Sequence, residues 1–110
     1  GDLIVWQKGI QLVEEIYRVA NSLPKEELFS LSNQMKRCSV SIPSNIAEGY
    51  ARKSNKEYRH FLFVALGSQA ELKTQLVITS KMYSNIDLNK ANLLVNEIGK
   101  MLYSMINKLP

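Results

Sequence analysis

The sequence predicts an all-α fold: an antiparallel, up-and-down bundle of four helices, one domain spanning residues 1–110, with its second helix kinked at Pro43. Three observations predict it. Apolar residues recur at spacings of three and four in four stretches, the period of a helix with one buried face. Capping and breaking signals fall between those stretches. No stretch alternates with the period of two that a half-buried strand requires. A length of 110 residues suits a single core, and 45% hydrophobic content is ordinary for one. Five glycines and three prolines are too few for disorder or for a many-turned β-fold.

The first helix is expected from Asp2 to Asn21. Trp6, Ile10, Val13, Tyr17 and Ala20 form one apolar stripe, and Leu12, Ile16, Val19 and Leu23 form a second beside it. Pro24 stops it and suits the first turn of the next helix. The second stripe set, Leu28, Leu31, Met35, Cys38 and Ile42, keeps its phase past Pro43 into Asn45, Ile46 and Gly49. Leu28 to Tyr50 therefore reads as one helix, loosened at the proline. An interior proline costs about 3 kcal/mol and frees the carbonyl of Ser39, which nearby Ser and Asn side chains are expected to satisfy.

Ser54 opens the third helix as the N-cap of a capping box, with Glu57 three residues on. Tyr58, Leu62, Ala65, Gln69, Leu72, Leu76, Thr79 and Tyr83 hold its core phase. A parallel stripe, Phe61, Val64, Ser68, Glu71, Gln75, Ile78 and Met82, is polar in its middle. Asp87 caps the fourth helix, whose broad apolar face runs from Ala91 to Leu109. Gly99 within it weakens the helix or permits close packing.

The chemistry on offer argues against an enzyme. His60 is the only histidine and Cys38 the only cysteine, so no histidine pair, cysteine cluster or internal disulfide can form, and no metal or cofactor is expected. Cys38 lies on an apolar stripe, where an inert thiol is expected rather than a nucleophile. Glu48 and Glu71 are a conceivable carboxylate pair for hydrolysis, but nothing around them supports acid–base work. They fit better in a structural polar network or subunit interface formed by Arg37, Ser44, Asn45, Glu48, Glu71 and Gln75. No apolar run reaches membrane-spanning length and no signal peptide opens the chain, so a cytoplasmic protein is expected.

The net charge of +4 is concentrated. Lys36, Arg37, Arg52, Lys53, Lys56 and Arg59 face only Glu48 and Glu57 between residues 36 and 59, which places the whole formal excess there. Aromatic residues interleave with it, as single-stranded nucleic acid favours. Lys36, Arg52, Lys53, Lys56 and Arg59 are the candidate phosphate contacts.

The blocks "VWQKGIQLVEEIY", "QMKRCSVSIPSNIAEGYARKSNKEYRHFL" and "ALGSQAELKTQL" resemble the four-helix bundle family named for proteins encoded in 23S rRNA intervening sequences. The resemblance covers about Leu3 to Tyr83, and the fourth helix matches only by pattern and position. It maps the family's motif onto Arg37, Ser41, Pro43, Ser44, Asn45, Glu48 and Gly49, and onto Glu71 and Gln75, with Cys38 where many relatives carry alanine. It implies a homopentamer with a central channel. It also implies kinship with the accessory variability protein of diversity-generating retroelements, a basic pentamer that works with a reverse transcriptase and its RNA. The expected function is thus a non-enzymatic, homopentameric accessory protein that binds RNA or a nucleic-acid-binding protein. The alternative is a protein-only scaffold whose partners are copies of itself or other proteins. Two apolar stripes per helix, more than one four-helix core should need, favour assembly in either case.

Overall fold

A computed structural model describes residues 2–110. The chain is all helical: α1 (Asp2–Asn21), α2 (Leu31–Tyr50), α3 (Asn55–Met82) and α4 (Asn89–Lys108), with a 3-10 turn at Lys25–Glu27. The four helices pack lengthwise into a body of 45 × 23 × 18 Å. Contacts between neighbouring helices rise in number on one helix as they fall on the other. Ser32 Oγ donates to the Ala20 carbonyl, and Gly9 lies against Pro43. Cys38 sits beside Ser68, and Thr79 beside Met35. Gln69 Nε2 donates to the Val95 carbonyl, while Arg18 reaches the carbonyl of Asp87.

The core takes one stripe from each helix. Val5, Leu12, Ile16 and Val19 come from α1, and Met35, Ile42 and Ile46 from α2. Leu62, Leu72 and Leu76 come from α3, and Val95, Ile98 and Leu102 from α4. α1 shows what one core leaves over. Trp6, Ile10 and Tyr17, on the other expected stripe, remain about 40% exposed. A bundle helix buries roughly 100° of its circumference, and the second stripe lies outside that arc.

α2 is continuous through Pro43. The proline ring is buried against Gly9 of α1, where a Cβ would stand 3.2 Å from the proline Cβ. Packing of this kind offsets the missing amide. The side chains around the proline bond to carbonyls other than that of Ser39: Ser39 Oγ to Lys36, Ser41 Oγ to Cys38 and Asn45 Nδ2 to Ser41. The start of α2 differs from expectation. It begins at Leu31 rather than Leu28, because Leu28 and Phe29 are 51% and 90% exposed and no core contact holds them in a helix. Glu27 instead organises the link. It accepts from Ser30 Oγ and from the Tyr83 phenol, which hold its carboxyl below the usual carboxylate range.

Glycines mark two close approaches. At Gly49 a Cβ would lie 2.8 Å from Phe61 Cβ and 3.3 Å from the Tyr58 carbonyl, so α2 and α3 touch there almost backbone to backbone. Gly99 leaves room for the Gln69 carboxamide, which would otherwise sit 2.5 Å from an added Cβ. Gly67, by contrast, faces open space.

Gly67→Ala therefore gains helix propensity, worth about 1 kcal/mol, and raises Tm. Gly49→Ala makes the same gain but forces the helices apart, for a net loss of about 1–3 kcal/mol and a Tm lower by several degrees. Thermal unfolding followed by circular dichroism checks both. Equal Tm increases would show that the approach at Gly49 is loose.

Candidate nucleic-acid interface

The turn from α2 to α3 is built from local hydrogen bonds. The amide of Ala51 donates to the Ala47 carbonyl and that of Arg52 to the Gly49 carbonyl, closing α2. Ser54 then accepts from the Glu57 amide at 3.1 Å and starts α3, the first half of the expected capping box. The Glu57 carboxylate turns back to Ser54 Oγ at 3.3 Å. The turn is pinned from beneath by Tyr58. Its ring meets Tyr50 edge-on, and its hydroxyl donates to Asp2 Oδ1 at 2.6 Å. Burial, then the Asp2 carboxylate, pushes the Tyr58 phenol pKa well up, so it stays a donor.

This frame places the five candidate phosphate contacts differently. Lys53 and Lys56 are exposed and form no ion pair among the described residues. Arg52 is exposed but held: it pairs with Glu48, lies 4.0 Å from Glu57 and covers the Phe61 ring at 4.9 Å. Arg59 is half-buried and donates to the carbonyls of Leu109 and Pro110, tying the end of α4 to α3. Lys36 stands apart. It lies over the Tyr17 ring at 5.0 Å, fourteen residues and about 21 Å along α2 from Tyr50, where the turn begins. Sequence proximity merged Lys36 with the turn, whereas the helix separates them.

The six polar residues of the expected network do not close on one another within the described chain. Arg37 and Ser44 are exposed, and Arg37 has no acid within ion-pair distance among the described residues. Glu48 goes to Arg52, not to Glu71. Glu71 is exposed and lies 3.6 Å from Cys38 Sγ. Asn45 is bonded within α2. Gln75 is buried, and its Oε1 has no partner among the described residues. Cys38 is buried too. Desolvation, then the Glu71 charge, pushes its thiol up to about 12, the behaviour of an inert core cysteine. Among the described residues, no three of His, Cys, Asp and Glu gather as metal ligands would. No helix there is long and apolar enough to cross a membrane.

A second feature was hidden in the sequence. Asp2, Leu3, Ile4 and Trp6 of α1 and Ile46, Ala47 and Tyr50 of α2 line an open, mostly apolar groove of about 840 Å³ beside the basic turn. Its only sequence signal is the surplus stripe on α1.

The profile described as 23S rRNA-intervening sequence protein matches residues 1–104. The chain belongs to that family. The match extends through most of α4, beyond the blocks that carry the resemblance in the sequence. The chain is also similar to the crystal structure of a protein with unknown function from the S23 ribosomal protein family of Bacteroides thetaiotaomicron VPI-5482. The two are 25% identical with a TM-score of 0.87, covering 97% of this chain and 98% of that one. No curated protein matches. Neither family description names a reaction.

The state of Cys38 is directly checkable. At pH 8 its thiolate fraction is about 10³-fold below that of a free cysteine. Labelling of the native protein by a disulfide reagent is expected to be at least about 100-fold slower than labelling of the urea-unfolded chain. Equal rates would mean that Cys38 is open and titrates normally.

Proposed function

We propose that the protein is a non-enzymatic accessory subunit that forms a homopentamer and binds RNA, or a ribonucleoprotein, through the basic turn between α2 and α3. The observation that carries this is the pair of exposed lysines, Lys53 and Lys56, without an ion pair among the described residues, on a turn fixed from beneath by Tyr58 and Gly49. Arg52 adds a guanidinium already oriented over Phe61, with Glu48 as a partner that phosphate can replace. Arg59 positions α4 and contributes charge rather than a free donor fork. Lys36 belongs to a different face. The descriptions of the family and of its structural neighbour both refer to the ribosome, which is consistent with an RNA partner.

Assembly rests on apolar surface. Leu3, Trp6 and Ile10 of α1 offer one face, beside the 840 Å³ groove. Val64, Ile78 and Met82 of α3 offer a different one. Two unlike faces make a head-to-tail contact, which forms a ring when the rotation closes. Arg37 and Glu71, which form no ion pair among the described residues, and the exposed Ser44 are available to meet across that contact. Five copies raise the net charge from +4 to about +20, which strengthens polyanion binding.

The same groove favours a second reading, a protein-only scaffold, in which the lysines only keep the assembly soluble.

Light scattering is expected to give about five times the 12.5 kDa of one chain, and a Trp6→Glu, Ile10→Glu variant a smaller particle. A monomeric wild type at micromolar concentration would remove the ring. Binding of a structured RNA is expected to weaken steeply with salt, and a Lys53→Glu, Lys56→Glu variant of unchanged mass to bind at least about tenfold more weakly at 50 mM salt. Wild type that binds no RNA at low salt would leave the scaffold reading.

A further inference from the structure

The face opposite the apolar groove has another character. On the outer side of α3 and α4, Leu66, Gln69 and Lys73 face Asn96, Gly99, Lys100 and Tyr103 across an open groove of about 570 Å³. Lys73 and Lys100 are exposed and form no ion pair among the described residues. No carboxylate lines the groove. Glu97, the acid nearest in sequence, points to Lys8 of α1 at 3.1 Å. One ring stands out from the groove: Tyr103 is 63% exposed.

The groove floor is constructed rather than incidental. Gly99 lacks the Cβ that would strike Gln69, and the Gln69 carboxamide settles there with one N–H on the Val95 carbonyl. Asn96, one turn before Lys100, adds an exposed amide beside the lysines. Cations for phosphate, rings for base stacking and amides for base edges are the components of a single-strand platform.

We propose that the α3–α4 groove binds single-stranded nucleic acid, with Lys73 and Lys100 on phosphates and Tyr103 under a base. A strand is the committed occupant, because the open groove runs from Leu66 to Lys73 and from Asn96 to Tyr103, about two turns or 10 Å of each helix and more than one nucleotide spans, with cations rather than acids along it. Binding here is separate from the proposed contact at the turn, and either stands without the other.

The test uses the full chain and two fluorescein-labelled probes, a 12-nucleotide oligouridylate and a duplex RNA of the same length, followed by anisotropy. All substituted side chains are exposed, and circular dichroism with light scattering confirms unchanged fold and mass. Tyr103→Ala and Lys73→Glu, Lys100→Glu are each expected to weaken oligouridylate binding at least about tenfold and duplex binding less than about twofold. Tyr103→Phe, which keeps the ring, is expected to bind like wild type. Lys53→Glu, Lys56→Glu reports the turn: loss of duplex binding with the groove effect intact supports both sites. Duplex binding unchanged in that variant removes the turn but not the groove. The groove assignment is overturned by oligouridylate binding untouched in the groove variants. It is equally overturned by an equal loss on reversing Lys25 and Lys90, which lie at the far end of the bundle, or by uridine monophosphate binding as tightly as the 12-mer.

Discussion

Everything at the basic end of this molecule depends on α2 passing Pro43 without losing its helical phase. The proline removes one backbone hydrogen bond, a loss large enough to end an isolated helix. Burial of its ring against Gly9, with Ile42 and Ile46 fully buried on either side, keeps the helix intact. Because the phase survives, Gly49 arrives on the inner face two turns later and seats against Phe61 and Tyr58. That contact sets where α3 begins, and so where Arg52, Lys53 and Lys56 emerge. A helix ending at Pro43 would leave those cations on an unanchored loop, and a loop pays more entropy to meet a ligand than a fixed turn does.

The bundle surface divides into unlike faces. The α1–α2 side is apolar, with a groove beside the turn. The α2–α3 side carries Arg37 and Glu71, which form no ion pair among the described residues, flanked by Val64 and Ile78. The α3–α4 side carries lysines, amides and one bare ring. In the proposed assembly the first two sides meet one another. The third stays open to solvent, and the basic turn sits at the end of each subunit.

Much of this was legible in the sequence, for identifiable reasons. α1, α3 and α4 were readable to within a residue or two, because their stripes are long and their ends carry Pro24, Ser54 and Asp87. The start of α2 was not: Leu28 continues the stripe numerically but has nothing to pack on. Apolar periodicity shows that a residue lies on a helix face, not whether that face is covered. Trp6, Ile10 and Tyr17 were therefore indistinguishable from core residues until the neighbouring helices were placed. Charge counted along the chain likewise joined Lys36 to the turn and overlooked Lys73 and Lys100, which lie in a stretch of balanced charge yet share one face. The expected network of Arg37, Glu48 and Glu71 assumed that matching charges on adjacent helices meet, whereas register puts Glu48 beside Arg52 instead.

Amide hydrogen exchange on the native protein tests the central claim most directly. If α2 is held through Pro43 by its seat on Gly9, the amides of Ala47 to Tyr50 exchange as slowly as those of Met35 to Ser39, within about tenfold. Exchange at Ala47 to Tyr50 at the rate of an open loop, with protection ending at Pro43, would contradict the account. It would also take with it the fixed turn on which the proposed RNA contact stands.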